Sequence, residues 1–560
     1  MDFEDGRLGT SLGTSARRVL FKDQRQDVAI STEEAASTAI SFSSPHGRIH
    51  DNLMSAPRPL LGRARVRKQQ KSSNIAPSKG DDDPAAPSSS GPREPRGVPT
   101  DLVAVQDELD WLLDGLPSGP SFQGLLELLF SNQGRHLVIQ VPTTAQSIID
   151  RLAGLDPNSV CYADISARRA IACLLLILTM CGRLSCFTNE TTVSLIKRIT
   201  DDAGSNGGNS DKKMDINLAR FMGDQHVCRF VPREVSASPW CVCLACLAYC
   251  VEPRENYDPS KIKASIGPLM DVLVSTVVEE SGALSDVNPT LKTVMALWKL
   301  KTSLLVLEQA CFACAENQNV LNDRKVEVGC PPLEKVVGFN QFLVGLIRTL
   351  ASHNRRLPSE GIKKDCFLLL ISVLMNTTEG DARACRDIQP EHLVACISKL
   401  WNNSRVPDRG KSHTDELCAL LGVMINVVDE IGCESTCTDR ESLLELVTIL
   451  CAMVTSDAQD DGGDDADEGT VTLESLERRD TMQKSSAEAY GSILLGFLVV
   501  GSAEARELAR AQLKGGSGSG LEGIKASIER VLAFYLSVGA LTPKTQARLS
   551  GLIDALGRQT

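Results

Sequence analysis

This 560-residue chain has few aromatic side chains, no net positive charge and no long apolar run. Aromatic residues make up only 4% of the sequence, which disfavours β-sandwiches because their cores rely on aromatic and β-branched side chains. The net charge of −12 disfavours a basic groove, so direct DNA binding is not expected. The longest apolar run, Ala170–Cys181, is shorter than the about 20 residues that span a bilayer, so no membrane segment is expected.

Motifs for catalysis are also missing. The seven histidines form no HExxH motif, and the sequence contains no GxSxG elbow. Gly518, Gly520 and Gly523 have the GxGxxG spacing, but a helix-like segment precedes them where a nucleotide site requires a strand. We therefore expect no enzyme, no cofactor and no small-molecule substrate. An enzyme that uses this glycine-rich loop is the weakest of the hypotheses.

The 19 cysteines are scattered through apolar helical stretches. The densest group lies in WCVCLACLAYC, residues 240–250, and the nearest second pair is Cys311 and Cys314. A zinc site needs ligands that converge from two closely spaced pairs, so core packing is the better interpretation and no metal is expected. The N-terminal residues show no charged start followed by an apolar run, which predicts an intracellular protein with reduced thiols.

Residues 1–100 differ in composition from the rest of the chain. They are rich in Ser, Pro and Arg with few periodic apolar positions, which predicts disorder. A basic cluster within them has two interpretations of equal weight, a nuclear import or nucleic-acid patch and a solvated linker. Its members are Arg63, Arg65, Arg67, Lys68 and Lys71.

From Asp101 to the end at residue 560, apolar residues recur at helical spacing in one segment after another. Several of these segments resemble one another in sequence, which predicts an all-α, irregular HEAT/armadillo-like helical repeat array. We find no alternating strand pair in the sequence. Asn376 and Asn426 end two of these similar segments and are predicted to hydrogen-bond the backbone of the next turn. An acidic insert at 457–469 is predicted to be flexible, as a tether to basic partners or as a solubilising spacer.

Several motifs occur in an order that resembles one known family. They are DLVAVQDELDWLLDGL at the start of the array, LEQACFACAENQNVL, SVLMNTTEGDARAC, the acidic insert followed by AEAYGSILLGFL, and the closing IKASIERVLAFYLSV. Together they resemble the Wings apart-like (Wapl) family of cohesin release factors. The resemblance is to the C-terminal domain of that family and covers about residues 100–560 of this chain.

The resemblance implies a non-catalytic regulator of sister chromatid cohesion that promotes release of the cohesin ring from chromatin in the nucleus. Its expected partners are the ring's ATPase head, its kleisin and its HEAT-repeat accessory subunits. The sequence departs from the family in having no Phe-Gly-Phe motif, and residues 1–100 contain no Tyr-Ser-Arg motif.

One residue role is implied by the same resemblance. The family has a Met eight positions before the Tyr of the AxY helix, on a surface linked to release activity, and Met482 precedes Tyr490 by that spacing. Met482 is therefore a candidate partner-binding residue, and the alternative is that it packs the start of a helix. For the whole chain, the alternative function is a generic armadillo or HEAT adaptor unrelated to cohesin.

Overall fold

The structure, a computed structural model, describes most of the chain from Thr100 onwards. The described residues are 100–116, 118–156, 162, 165–181, 190–200, 238–251, 266–286, 290–312, 314–328, 335–352, 361–404, 414–436, 439–455, 473–513, 520–537 and 543–559. Residues 1–99 and the acidic insert at 457–469 lie outside this set, so their predicted disorder stays a prediction.

Within the described residues the chain folds into 21 α-helices, one 3-10 turn and two short strands. The helices are α1 (Thr100–Asp114), α2 (Gly119–Phe130), α3 (Asn132–Gln140), α4 (Pro142–Ala153), α5 (Ile165–Met180), α6 (Glu190–Thr200), α7 (Pro239–Val251), α8 (Gly267–Glu280), α9 (Leu291–Phe312), α10 (Ala315–Asn322), α11 (Phe339–Ser352), α12 (Ile362–Thr378), α13 (Ala382–Asp387), α14 (Pro390–Ser404), α15 (Thr414–Ile431), α16 (Cys433–Thr436), α17 (Arg440–Thr455), α18 (Leu473–Gly501), α19 (Ala503–Leu513), α20 (Gly520–Ser537) and α21 (Pro543–Gly557). No described helix is both long and apolar enough to cross a membrane.

The helices stack in two layers. In the first layer, α5, α7, α9, α12, α15 and α18 each pack against the next along the chain. In the second layer, α11 packs on α14 and α14 on α17, while each also covers a helix of the first layer. This arrangement repeats one helical hairpin per unit, which confirms the predicted HEAT/armadillo-like array.

The sequences of the helices match these two environments. Residues 366–378 of α12 are all buried, because neighbours cover this helix on every side. In the second layer, α14 buries only a stripe that includes Leu393, Val394, Ile397 and Leu400, at helical spacing. The apolar run Ala170–Cys181 lies in α5, a helix of the first layer, up to Met180, so its length reflects core burial.

A short β-hairpin interrupts the helices, and the sequence analysis missed it. Strand β1 (Lys325–Val328) pairs antiparallel with β2 (Lys335–Gly338), and Val326 lies opposite Val337. The apolar spacing predicts a helix over Leu333–Ser352, and this prediction is wrong across β2, since α11 begins only at Phe339. Each strand has four residues, so an alternating pattern has too little length to stand out in the sequence.

A sharp corner also separates α9 from α10, where the apolar periodicity runs on without a break. Cys314 has extended backbone between the two helices. The Asn317 side chain donates a hydrogen bond from Nδ2 to the carbonyl of Ala310 at 3.0 Å, which holds the corner closed.

The two asparagines predicted to be structural join neighbouring units of the array. Asn376 Nδ2 donates to the carbonyl of Glu308 at 3.0 Å, and Asn426 Nδ2 donates to the carbonyl of Met375 at 3.2 Å. Both side chains are buried, and both bond backbone, as predicted. The predicted acceptor was wrong, because each amide reaches the preceding helix of the first layer and not the next turn of its own chain segment.

Candidate partner-binding surface

The structure locates the sequence-predicted residues only in part. Met482 lies in α18, where the sequence predicts a helix from Asp480 to Val500. The structure describes the side chains of this helix from Ser486 onwards, so the surroundings of the Met482 side chain are outside the described set. The basic cluster at residues 63–71 is outside it too, and both remain predictions.

Helix α18 can approach its neighbours closely because glycines line its sides. A Cβ added at Gly496 would lie 2.9 Å from Ile528 Cδ1 and 3.2 Å from Leu552 Cδ2, on α20 and α21. At Gly491 it would lie 3.1 Å from the sulfur of Met453 on α17. These contacts fix the position of α18 between α17, α20 and α21.

Buried polar contacts set the register between α18 and α20. Ser492 Oγ donates to Ser527 Oγ at 2.9 Å, and Ser527 Oγ donates to Glu488 Oε1 at 3.2 Å. Arg530 Nη2 also donates to Glu488 Oε1, at 3.3 Å. Residues nearer the start of α18 contact residues nearer the end of α20, so the two helices are antiparallel.

This register brings the end of α20 alongside the turn that carries Met482. Met482 is six residues before Glu488, and Leu536 is six residues after Arg530, about 9 Å along each helix axis. Phe534 is 50% exposed and Leu536 is 44% exposed. The apolar end of α20 and the first half of α18 therefore share one end of the array, which we call the α18–α20 surface.

Sequence reasoning missed Phe534 and Leu536 as surface residues. A signal was present, because residues 531–536 read VLAFYL and an amphipathic helix cannot bury apolar side chains on every side. Here α20 is buried up to Ile528 and loses its cover over the last turns. An uncovered apolar helix end is a common feature of protein–protein contact sites.

The alternative chemical sites find no support in the described geometry. Cys243 and Cys246 are buried, and Cys246 Sγ lies 2.9 Å from Thr179 Oγ1. Burial raises the pKa of the Cys173 thiol to about 12 and also raises that of Cys243, so these thiols stay protonated. Among the described residues no group of three or more His, Cys, Asp and Glu could hold a metal ion.

The glycine-rich segment likewise lacks the setting of a nucleotide site in its described part. Helix α19 precedes it, and Gly520 begins α20 with a φ of +57°. A phosphate-binding loop of the dinucleotide kind follows a strand and opens a helix within a βαβ unit.

Stacked helical hairpins of this kind place the chain among the HEAT/armadillo-type helical-repeat proteins. Residues 172–431, from within α5 to the end of α15, match the family described as "Wings apart-like protein regulation of heterochromatin". This central part of the array, which is less than half of the chain, is therefore similar to the Wings apart-like family. The α18–α20 surface lies C-terminal to the matched residues.

Two similar proteins come from Arabidopsis thaliana. Wings apart-like protein 1 is 24% identical over 229 residues, which cover 34% of this chain and 24% of that protein. Wings apart-like protein 2 is 24% identical over 226 residues, which cover 34% of this chain and 26% of that protein. The aligned part thus spans about a quarter of the length of these relatives.

Proposed function

We propose that this chain is a non-catalytic regulator of sister chromatid cohesion that promotes release of the cohesin ring from chromatin in the nucleus. The observation that carries the proposal is the match of residues 172–431 to the Wings apart-like family. The proposed partners are the ATPase head, the kleisin and the HEAT-repeat accessory subunits of the ring.

The α18–α20 surface is the proposed contact site for one of these partners. Phe534 and Leu536 keep about half of their area exposed, which supplies apolar area for a partner. Arg530 has a 69% exposed side chain beside them and forms an ion pair with Glu488. Aromatic and arginine side chains in such positions contribute most to the stability of protein interfaces.

The alternative of a peptide-gripping adaptor gains no support from the asparagines. An adaptor of that kind would present a ladder of asparagine amides along an open groove. Asn376 and Asn426 are each only 5% exposed, and each amide already donates to a backbone carbonyl between repeats. They therefore hold the array together and cannot reach a bound peptide.

Affinity purification of the full-length protein tests the class, because cohesin subunits should be among its partners. The site is tested with Phe534→Glu and Met482→Glu, since a charge buried against a partner without a mate is costly. Both variants should fold and should lengthen the residence of cohesin on chromatin, measured by photobleaching recovery of a tagged cohesin subunit. Leu291→Glu is the matched control, because Leu291 is 60% exposed at the start of α9.

The outcomes separate the site from the function. Unchanged residence with folded Phe534→Glu and Met482→Glu would remove the α18–α20 surface from the proposal. Unfolding of Met482→Glu would show that this side chain packs the helix. Unchanged cohesin turnover after deletion of the whole protein would overturn the proposed function itself.

A further inference from the structure

A seam between two helices of the second layer, α11 and α14, holds two basic side chains in contact. Arg348 Nη1 on α11 lies 2.6 Å from His392 Nε2 on α14. A guanidinium has no hydrogen-bond acceptor, so Arg348 donates and Nε2 accepts. The imidazole is therefore neutral in this contact and carries its proton on Nδ1.

The exposed guanidinium of Arg348 has no carboxylate to balance its charge. Among the described residues its side-chain hydrogen bond is the one to His392, and none of them forms an ion pair with it. Exposed arginines elsewhere in the array are paired, Arg383 with Asp323 and Arg440 with Glu504. Arg348 thus keeps unused N–H donors and an unneutralised positive charge at the surface.

Further positive charge lies along the same edge of α14. Lys399 follows His392 by seven residues, about two turns, so both side chains are on one side of the helix. Cys396 lies between them and is buried. Burial raises the pKa of its thiol to about 11, while the charges of Arg348 and Lys399 oppose that rise, so both cations are near this thiol.

The residues next to the Arg348–His392 pair are small. Gly345 is one turn before Arg348 and Ala395 is one turn after His392, and both are exposed. A Cβ added at Gly345 would meet no atom within 4 Å. These two positions leave room for the main chain of another molecule to approach the pair.

This arrangement favours an oxyanion that belongs to a protein. The planar guanidinium matches the two oxygens of a carboxylate, and the imidazole adds a further N–H donor. A free anion would gain only an exposed ion pair, which is weak, whereas a protein segment adds main-chain contacts beside Gly345 and Ala395. The net charge of −12 disfavours a nucleic acid as the source of the oxyanion.

The imidazole couples such binding to pH. Burial lowers the pKa of His392 from its ordinary value of 6.5, Arg348 lowers it further, and Glu391 opposes the shift. Within the described chain, α15 and α17 also pack on α14 but place no charge that acts on this ring. A bound carboxylate favours the imidazolium, so binding takes up a proton and tightens as the pH falls.

We propose that the seam between α11 and α14 binds an acidic side chain of a partner protein, with Arg348 and His392 as the donors. The carboxylate replaces the imidazole as the acceptor for Arg348, and the imidazole donates to the same carboxylate. This contact is separate from the α18–α20 surface and does not rest on the proposed function.

A fluorescein-labelled peptide, GEEEEG, tests the proposal by anisotropy on the full-length protein, with GQQQQG as the uncharged peptide. Arg348→Gln should weaken the binding of GEEEEG about ten-fold, because a charge-assisted contact is lost. Arg440→Gln is the matched control, since it removes the same charge from an arginine that Glu504 already pairs. It should change the affinity by less than about two-fold, and both variants should keep their helical circular dichroism.

The pH dependence tests the role of the imidazole. The affinity of the unaltered chain for GEEEEG should rise about five-fold from pH 8 to pH 6, which corresponds to a pKa rise of somewhat less than one unit on binding. His392→Gln should remove this rise. His136→Gln should keep it, because His136 is an exposed histidine on α3.

Four results would overturn the proposal. Equal effects of Arg348→Gln and Arg440→Gln would show that the peptide responds to net charge alone. Displacement of the peptide by millimolar inorganic phosphate would make the seam a site for free anions. Tighter binding of a labelled oligothymidine strand than of GEEEEG, lost in Arg348→Gln, would assign the seam to nucleic acid. No binding of GEEEEG to the folded chain would leave the Arg348–His392 pair as an internal contact.

Discussion

Glu416 provides a sharp test of the packing between α12 and α15, because the fold buries its charge. This glutamate lies in the first turn of α15 and is 2% exposed. Lys364 Nζ is 3.6 Å from Oε1, while Oε2 has no hydrogen-bond partner among the described residues. Burial raises the pKa of Glu416 from 4.5 to about 7, against the smaller opposing effect of Lys364.

The raised pKa makes stability fall as pH rises. Between about pH 4.5 and pH 7 the folded chain keeps the proton of Glu416, whereas the unfolded chain has lost it. Each pKa unit corresponds to about 1.4 kcal/mol, so the full difference is about 3 kcal/mol above pH 7. The contribution of the protonated form is complete below pH 4.5 and is lost as the pH passes about 7.

Glu416→Gln removes the charge and keeps the shape. We expect it to raise the free energy of unfolding at pH 8 by about 1 to 2 kcal/mol. The gain is smaller than the full difference because the substitution removes the ion pair with Lys364 and leaves an imperfectly bonded amide. The gain should disappear as the pH approaches 4.5. Urea unfolding of the full-length protein at pH 5 and pH 8 measures this, and hydrogen exchange shows whether α12 and α15 are the protected helices.

The matched control is Glu441→Gln, in the first turn of the neighbouring helix α17, where the glutamate is exposed. This change should alter the free energy of unfolding by less than about 0.5 kcal/mol at both pH values. The reasoning is refuted if Glu416→Gln destabilises the protein at pH 8, or if its effect is the same at pH 5.

Three further outcomes follow from the packing. Asn426→Leu removes the hydrogen bond to the Met375 carbonyl and should lower the free energy of unfolding by about 1 to 2 kcal/mol in urea. Gly496→Val places atoms against Ile528 and should cost about 1 to 3 kcal/mol, seen as faster proteolysis of α20 and α21. Cys243 should react with thiol reagents only after unfolding, and elemental analysis should find no stoichiometric zinc; rapid labelling or bound zinc would contradict the burial argument.

The sequence predicts the helices well wherever apolar periodicity is long. The helix expected from Asp480 to Val500 lies within α18, because its apolar face is continuous. The hairpin of β1 and β2 could not be found in the same way, since four residues per strand carry almost no periodic signal. The corner at Cys314 was invisible too, because the bond that closes it comes from Asn317, which looks like any polar helix residue.

The candidate site was harder to predict than the fold. Asn426 could be recognised as structural, but its acceptor at Met375 is 51 residues away and depends on how the repeats stack. The exposure of Phe534 depends on where neighbouring helices stop covering α20, which no local pattern encodes.

The amide contacts of Asn376 and Asn426 between first-layer helices have the same direction, and this has a consequence for synthesis. Asn376 on α12 donates back to α9, and Asn426 on α15 donates back to α12. During translation the N-terminal helices emerge first, so each of these two asparagines meets a carbonyl that is already in place. A ribosome-bound chain that ends after α12 already contains the Glu308 carbonyl that Asn376 needs. A chain that begins at α12 would bury the Asn376 amide without this acceptor. At these two contacts the array is suited to growth from its N-terminal end.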